Sequence, residues 1–504
     1  MNDDQSQTPD APIDMLIVGG GVNGVGIARD AAGRGLSVVL CEKDDLASAT
    51  SAASSKLIHG GLRYLEYYEF NLVRKALHER EVLMGIAPHL IQPLRFVMPH
   101  DKAQRPMWLM RLGFILYDHL YRRQHLKGSR QIDLTTHASG AVLADHYKKG
   151  FVYSDCQVDD ARLVVANALD AAEHGADIKT RCALVRARRE GGLWKAELKN
   201  LATGEAETLT SRVLVNAAGP WVSEVLQDHL GVTSGPGIRL VQGSHLVVPK
   251  LAEHDHAYVL QNPDQRIVFV IPWGNFSLIG TTELELDAMP EAPQITEAEI
   301  DYLLDSVNGC FKASLSRSDI VWTYAGVRPL FDDATSDASA VTRDFVLDLS
   351  AENEAAPLLS VFGGKVTAYR ELAEQVMDKL ADFLPVQKPW TAETALPGGD
   401  VGGNDVDAYS NAMCDRYDRL PRSLVHRLVR AYGSRITQLL QGIKTIDDLG
   451  THYGGDLFER EVQYLVDQEW AQTADDVIWR RTKLGLVLSS DEVDILAARL
   501  RDST

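Results

Sequence analysis

Met15-Leu16-Ile17-Val18-Gly19-Gly20-Gly21-Val22-Asn23-Gly24 is the stretch that decides how this chain begins to fold. Four apolar residues are enough for a short buried parallel strand, and they run directly into a glycine turn. A helical segment then passes through Ile27, Ala28 and Ala31 to Gly35, and a second strand, Ser37 to Cys41, ends on Glu42. The unit reads β-α-β. Gly19, Gly21 and Gly24 match G-x-G-x-x-G, in which missing side chains permit the turn, admit a pyrophosphate to the backbone and let the helix pack closely on the strand. The helix N-terminus then faces the anion. Glu42, about 20 residues on at the tip of the second strand, is placed to accept hydrogen bonds from a ribose hydroxyl. A plain packing turn would not need three consecutive glycines, whose unfolded-state entropy makes them costly unless something approaches the backbone closely.

At 504 residues the chain is too long for one core and predicts two or three domains. Its 45% hydrophobic and 24% charged residues are those of an ordinary soluble globular protein. A net charge of -19 argues against general nucleic-acid binding, which needs a basic footprint. Five cysteines, Cys41, Cys156, Cys182, Cys310 and Cys414, form no C-x-x-C pair, so neither a disulfide framework nor a metal site is expected and a reducing cytoplasm fits. Residues Met1 to Pro12 are polar, unlike a signal peptide, and no apolar run of about 18 residues occurs that could span a bilayer.

From Asp45 to Glu66 small hydroxyl residues crowd the sequence, including Thr50, Ser51, Ser54 and Ser55. Such a run builds no core but suits a loop that wraps a polar ligand. It closes on His59, Gly60, Gly61, Arg63 and Tyr64, a combination better suited to an active-site wall than to a linker. A helix is expected from Tyr67 to about Gly85. The window Lys102 to Arg130 holds seven basic residues (Lys102, Arg105, Arg111, Arg122, Arg123, Lys127, Arg130) against Asp118 alone, around the apolar centre Met107 to Tyr117. Periodicity leaves two readings of that centre open: an interfacial amphipathic helix, or a buried helix with Arg-rich ends.

A second α/β segment begins at Phe151, with a helix from Val158-Asp159-Asp160 to about His174 and strands near Ile178 to Val185, Trp194 to Leu198 and Arg212 to Asn216, the last ending in a turn at Gly219. Between about Ile238 and Thr282 alternating strands predict an antiparallel sheet and a different domain, in which His245 reads as a packed sheet residue. A helix near Glu297 to Phe311 precedes Val321 to Leu330, and an acidic loop follows. Leu358 to Arg370 repeats strand, glycine turn and helix, so that Gly363, Gly364 and the backbone beyond them can face an electron-rich ligand. Pro385 to Gly403 reads as a linker, and everything after it as helical.

The strings Ser54-Ser55-Lys56-Leu57-Ile58-His59-Gly60-Gly61-Leu62-Arg63-Tyr64-Leu65, Gly326-Val327-Arg328-Pro329-Leu330 and Gly363-Gly364-Lys365-Val366-Thr367 closely resemble those of the FAD-dependent, quinone-linked glycerol-3-phosphate dehydrogenases of aerobic respiration. The resemblance spans nearly the whole chain. It implies an α/β fold: a Rossmann-like FAD-binding domain, an antiparallel-sheet substrate domain of the D-amino-acid-oxidase type, and a C-terminal helical domain. The oxidoreductase region would be 13–387, with FAD-binding segments of about 13–90, 151–235 and 335–387 and a substrate sheet of about 236–334, and the helical domain would be 388–504. The cofactor would be FAD, held by Gly19, Gly21, Gly24, Glu42, Thr50, Ser51, Ser55, Lys56, Val185, Gly219, Gly364, Lys365 and Thr367. The implied reaction oxidises sn-glycerol 3-phosphate to dihydroxyacetone phosphate and passes electrons to membrane quinone, with the protein on the cytoplasmic face of the inner membrane against anionic lipid. A homodimer is compatible with it; no metal and no nucleic acid are implied.

The chemistry of the residues agrees. Oxidation of a secondary alcohol needs a base for the hydroxyl proton, and His59 titrates in the right range. Arg63, Arg328 and Lys365, with Tyr64 beside them, converge from glycine-bordered segments as a phosphate site, and guanidinium groups grip phosphate oxygens in pairs. Arg328 is a second candidate for proton handling. Two departures stand out: Ala218 and Ala368 occupy positions where many members carry Thr, so neither hydroxyl is available here. The sequence also ends without the calcium-binding extension of mitochondrial relatives. Two rival readings share the motifs, an oxidase that passes electrons to oxygen and an FAD-binding protein without alcohol chemistry, and the His59, Arg63 and Arg328 set speaks against the second.

Overall fold

A computed structural model describes residues 11–101, 104–232, 237–332, 345–351 and 355–501. Lys102, the polar tail through Asp10 and most of the acidic loop beyond Leu330 lie outside the described residues. Five helices position the site: α1 (Val22–Gly33), α2 (Phe70–Ile86), α3 (Met107–His119), α4 (Asp160–Glu173) and α5 (Tyr369–Leu380).

The opening stretch forms the β-α-β unit that it predicts. β1 (Ile13–Val18) lies between β2 (Val38–Cys41) and β3 (Ala206–Asn216), parallel to both, with Leu16 opposite Val39 and Leu214. β4 (Leu358–Phe362) adds to the far side of β3, again parallel, and Asp177–Lys179 extends the sheet beyond β2. Alternation along β1 sends Met15 and Ile17 into one core, under α1, α4 and α5, and Leu16 and Val18 into another, under an antiparallel flap formed by Cys182–Glu190 and Leu193–Asn200. Burial on both faces is why the strand reads as an unbroken apolar run. The expected strand from Ile178 to Val185 is in fact two. The chain reverses at Arg181, which takes φ +52, so that the first piece completes the parallel sheet and the second opens the flap.

Among the described residues the second sheet has ten strands, and only part of it comes from 236–334. Ile238–Pro249 pairs antiparallel with Phe276–Gly280 on one register and with Trp322–Phe331 on another, which sets Val241 opposite Arg328, Gly243 opposite Gly326, and His245 opposite both Gly280 and Tyr324. The rest is recruited from earlier in the chain: Leu57–Ile58, Ile91–His100, Arg130–Asp133 and Lys149–Val158. The chain therefore changes sheet between Cys41 and Leu57, between Val158 and Asp177 and between Asn216 and Ile238. Ile91–His100 lies parallel to His256–Gln261, the junction that splices the two halves.

Residues 385–403 do not behave as a linker. Trp390 packs where a Cβ on Gly33 would meet its ring at 2.0 Å, its indole donates to the Asp30 carbonyl at 3.2 Å, and Arg29 donates to the Thr394 carbonyl at 2.9 Å. Gly398 takes φ +90 in a space where a Cβ would sit 2.4 Å from the Tyr432 carbonyl. Pro and Gly there serve a tight packed strap, not a loose one. Beyond it the chain forms helices Val406–Arg416, Arg422–Tyr432, Glu459–Glu469 and Ser490–Arg501, and the expectation of an entirely helical region is corrected by a small hairpin, His452–Gly454 with Leu457–Phe458.

Candidate active site

Three parallel strands end at the same edge of the first sheet, and each is followed by a glycine turn: Gly19 after β1, Gly219 after β3, and Gly363 and Gly364 after β4. Gly19 takes φ +113, and a Cβ on it would lie 2.6 Å from the Ala217 carbonyl, so the first two turns touch backbone to backbone. Asn23 Nδ2 donates to the Gly363 carbonyl at 3.2 Å and ties the first turn to the third. Gly21, which has no side chain to cap α1, is served by Ser51, whose hydroxyl accepts the Val22 N–H at 2.9 Å. Glu42 folds back over the same turn: its carboxylate accepts N–H bonds from Gly20 at 2.6 Å and Asp44 at 2.8 Å. Burial raises its carboxyl above the usual range, against the pull of those two amides.

A cavity of about 1670 Å³ starts at these turns, lined by Gly19, Gly21, Glu42, Thr50, Ser51 and Ser55, passes Gly219, Gly364, Lys365 and Thr367, and continues to His59, Arg63, Tyr64 and Arg328. Its size exceeds a drug-sized pocket and suits an extended dinucleotide with a small substrate beyond it. The donor set fits FAD: backbone amides of the glycine turns would meet its pyrophosphate and Glu42 its ribose, with the Gly364 to Thr367 turn further along.

His59 is pinned on both sides. Its own N–H donates to Thr367 Oγ1 at 3.3 Å, and its Nδ1 accepts the Gly61 N–H at 3.1 Å. An Nδ1 that accepts a hydrogen bond leaves the proton of the neutral ring on Nε2. Tyr64 lies against Gly61, which takes φ +71, and the Lys365 ammonium sits 4.1 Å over the Tyr64 ring. Arg328 projects into space left by Gly243, where a Cβ would meet its Nη2 at 2.5 Å, and donates to Thr281 Oγ1 at 3.1 Å, with Glu283 at 3.5 Å.

Three residues expected at the cofactor do not line the cavity: Gly24, where a Cβ would lie 1.9 Å from the Gly19 carbonyl so that it serves the packing of the turn, Lys56 and Val185. Lys56 is buried under it, its ammonium bound to Asp160 at 2.9 and 3.0 Å and to the Ala52 carbonyl at 3.0 Å. An uncompensated buried ammonium would be prohibitively costly, so this lysine is committed to its carboxylate. Val185 faces solvent and its carbonyl accepts from His229 at 2.8 Å, while its neighbours Ala183 and Leu184 supply the wall, because a register shift after Leu184 turns the strand. His245 is packed, as expected, but it also lines the cavity. It stacks on Tyr324 at 4.7 Å and meets Ser55 Oγ at 2.9 Å, and burial, then the nearby Lys56 and Arg328, hold its pKa well below the ordinary value. Asn23, Thr281 and Glu283 belong to the site without any sequence motif that marks them.

Turns, cavity and cation cluster define a flavin-dependent oxidoreductase with an appended C-terminal unit. Residues 14–370 match the FAD dependent oxidoreductase family and residues 389–500 the C-terminal domain of alpha-glycerophosphate oxidase. The chain is 53% identical over 494 residues to a glycerol-3-phosphate dehydrogenase of Pseudomonas aeruginosa, covering 97% of this chain and 96% of that one. It is 51% identical over 481 residues to the aerobic glycerol-3-phosphate dehydrogenase of Escherichia coli, with 95% of each covered. Over the same length it is 52% identical to a D-erythritol 1-phosphate dehydrogenase of Brucella abortus, covering 95% of this chain and 96% of that one. The crystal structure of a glycerol-3-phosphate dehydrogenase from Bacillus halodurans, complexed with FAD, superposes with a TM-score of 0.76 at 25% identity over 98% of this chain and 94% of that chain. The chain belongs to the family of FAD-dependent glycerol-3-phosphate dehydrogenases.

Proposed function

We propose that this protein oxidises sn-glycerol 3-phosphate to dihydroxyacetone phosphate and delivers the electrons to quinone at an anionic membrane surface. The observation that carries the reading is one cavity that joins the glycine turns, the Arg63, Arg328 and Lys365 cations and His59, and that reaches Leu109, Leu112 and Leu116 on α3. FAD, when bound, supplies the hydride acceptor. Arg63, Arg328 and Lys365 bind the phosphate, and Arg328 Nη2 is anchored on Thr281 Oγ1 at 3.1 Å. His59 handles the hydroxyl proton. To take it at Nε2 the ring must first stand as the Nδ1–H tautomer, its Nε2 proton passing to solvent as Nδ1 gains one, and the Gly61 N–H contact is given up, a loss of one neutral hydrogen bond worth about 1 kcal/mol.

The delivery of electrons to a lipid-dissolved acceptor rests on α3. Its Phe114 and Tyr117 are buried, whereas Trp108, Leu112 and Ile115 are 69%, 56% and 47% exposed, an apolar stripe turned outward. Of the two readings of this segment, the stripe favours the interfacial one. Arg111 and Arg122 are exposed beside it, but Arg123 pairs with Asp118 at 2.9 Å and is not free for lipid. Among the described residues no helix is long and apolar enough to cross a membrane.

A second reading is favoured by the Brucella relative, named for a four-carbon polyol phosphate at equal identity. The Glu283 carboxylate beside Arg328 is a ready acceptor for an additional hydroxyl. One experiment tests both. The absorbance of the yellow protein is followed anaerobically on titration with glycerol 3-phosphate and, separately, with D-erythritol 1-phosphate; bleaching by the first supports the main reading, bleaching by the second alone replaces it, and no bleaching by either rejects polyol phosphate oxidation. Peroxide formed on readmission of air, at the rate of substrate turnover, would move the protein to the oxidases.

A further inference from the structure

Gly60 is squeezed between two elements. A Cβ on it would lie 2.3 Å from Leu77 of α2 and 2.5 Å from the Tyr117 hydroxyl of α3. Its N–H is shared between Tyr117 Oη at 3.0 Å and Asp155 Oδ1 at 3.3 Å, and the Tyr117 hydroxyl in turn donates to Asp155 at 2.7 and 2.9 Å. Arg80 closes the set, donating to Asp155 Oδ1 at 2.6 Å and to the Ser154 carbonyl at 3.1 Å. All of these groups are buried. The amide so held belongs to the peptide that follows His59. Fixing it fixes ψ of His59, while Thr367 fixes the N–H on the other side, and the next amide, Gly61, is the one that meets the ring at Nδ1. Three consecutive amides, those of His59, Gly60 and Gly61, therefore set where the imidazole points.

We propose that Tyr117 is a positioning residue for the oxidation. It holds the His59–Gly60 peptide through its hydroxyl and so orients the His59 ring in the cavity, and because it rides on α3 it ties the helix with the exposed apolar stripe to the catalytic loop. The proposal rests on the reading of His59 as the proton-handling residue. Removal of the hydroxyl alone, in Tyr117→Phe, keeps the ring packing among Phe151, Tyr153 and Phe114 but leaves the Gly60 N–H with one long contact and Asp155 with one donor fewer. Displacement of a catalytic group by a fraction of an ångström to an ångström costs about ten- to a hundredfold in rate.

The test is a double-mutant cycle on the holoenzyme, read by anaerobic stopped-flow reduction with sn-glycerol 3-phosphate. Tyr117→Phe is expected to lower the limiting reduction rate about tenfold or more, with the apparent substrate Kd changed less than about threefold. In the His59→Ala background the same substitution should change the rate by less than about twofold, because a residue that acts through His59 has nothing left to position. Asp155→Asn, which weakens the acceptor of the Tyr117 hydroxyl, should show the same split between rate and Kd. Equal losses in both backgrounds, an unchanged rate, or a Tyr117→Phe protein that no longer retains flavin would each overturn the proposal. Failure of the His59 reading is a separate result: His59→Ala alone would then reduce at the wild-type rate.

Discussion

Arg481→Met is the perturbation that probes how the C-terminal unit is held. Arg481 has no solvent exposure and grips Asp45, equally buried, with Nη1 at 2.7 Å and Nη2 at 2.9 Å; its other hydrogen bonds go to the Glu469 carbonyl at 2.6 and 3.2 Å. Asp45 also receives Arg480 at 2.5 Å. Methionine keeps roughly the length of the side chain and deletes the charge, so a buried carboxylate loses a two-pronged partner. Breaking a buried pair on one side costs about 3–5 kcal/mol, and the surviving contacts of Asp45 with Arg480 and, at 3.5 Å, with Arg181 place the expected loss near the lower end, about 3 kcal/mol. Because the chain has several cores, a single melting midpoint would not report this loss. The measurement is native-state proteolysis of the holoenzyme, where cleavage after residue 400 should accelerate about a hundredfold, the equivalent of that free energy at 1.36 kcal/mol per tenfold. Unchanged cleavage in Arg481→Met would refute the reasoning and show that desolvation cancels the pair.

Glu42→Ala removes the acceptor of two turn amides as well as the expected ribose partner, and hydrogen bonds to a charged group are worth about 1.5–3 kcal/mol, so FAD affinity measured by flavin fluorescence should fall about ten- to a hundredfold. His89 is buried and its pKa is depressed to about 3, first by desolvation and then by Arg162 and Arg430. Its neutral form is the folded one, so the unfolded chain binds the extra proton; stability is full above about pH 6.5 and is lost toward pH 3 by up to about 1.4 kcal/mol per pH unit. His89→Gln should flatten that part of the pH dependence of denaturant unfolding. Arg111→Glu with Arg122→Glu should release the protein from phosphatidylglycerol vesicles, since two attractions of about 1 kcal/mol each become repulsions, while reduction of a soluble dye persists. Retained vesicle binding would move the docking surface away from α3.

The local half of this structure was legible and the long-range half was not, and particular residues show why. Gly19, Gly21, Gly24 and Glu42 act within one supersecondary unit, so their spacing alone carried the reading. Asp159 announced the start of α4 in the same way, by accepting the Arg162 N–H as an N-cap. Lys56 entered the cofactor set through the family resemblance, but its partner is Asp160, whose identity depends on how the second sheet folds back. The strap from 385 to 403 has the composition of a linker, and only the packing of Trp390 on Gly33 and of Gly398 on Tyr432 reveals that its glycines answer a steric demand. Tyr117 sat inside an apolar run that posed a question about membranes, and nothing in that run hints that its hydroxyl reaches Gly60, 57 residues back.

Convergence at the site follows from sheet order more than from any motif. β4, β3, β1 and β2 are neighbours and parallel, so the turns after all four strands emerge at one edge, where ligands of open α/β sheets bind. The second sheet completes the cavity by register: placing Gly243 opposite Gly326 leaves, one pleat away, room for the Arg328 side chain, and places Tyr324 beside His245. The cations so gathered stand in a protein whose net charge is -19. On the proposed function, long-range attraction would therefore not bring a phosphate to this surface; the local field of Arg63, Arg328 and Lys365 inside a low-dielectric cavity would, since there each unit of charge counts for far more than it would in water. On this argument an increase in salt should weaken vesicle binding by α3 strongly and substrate binding little, because exposed charges are screened and enclosed ones are not.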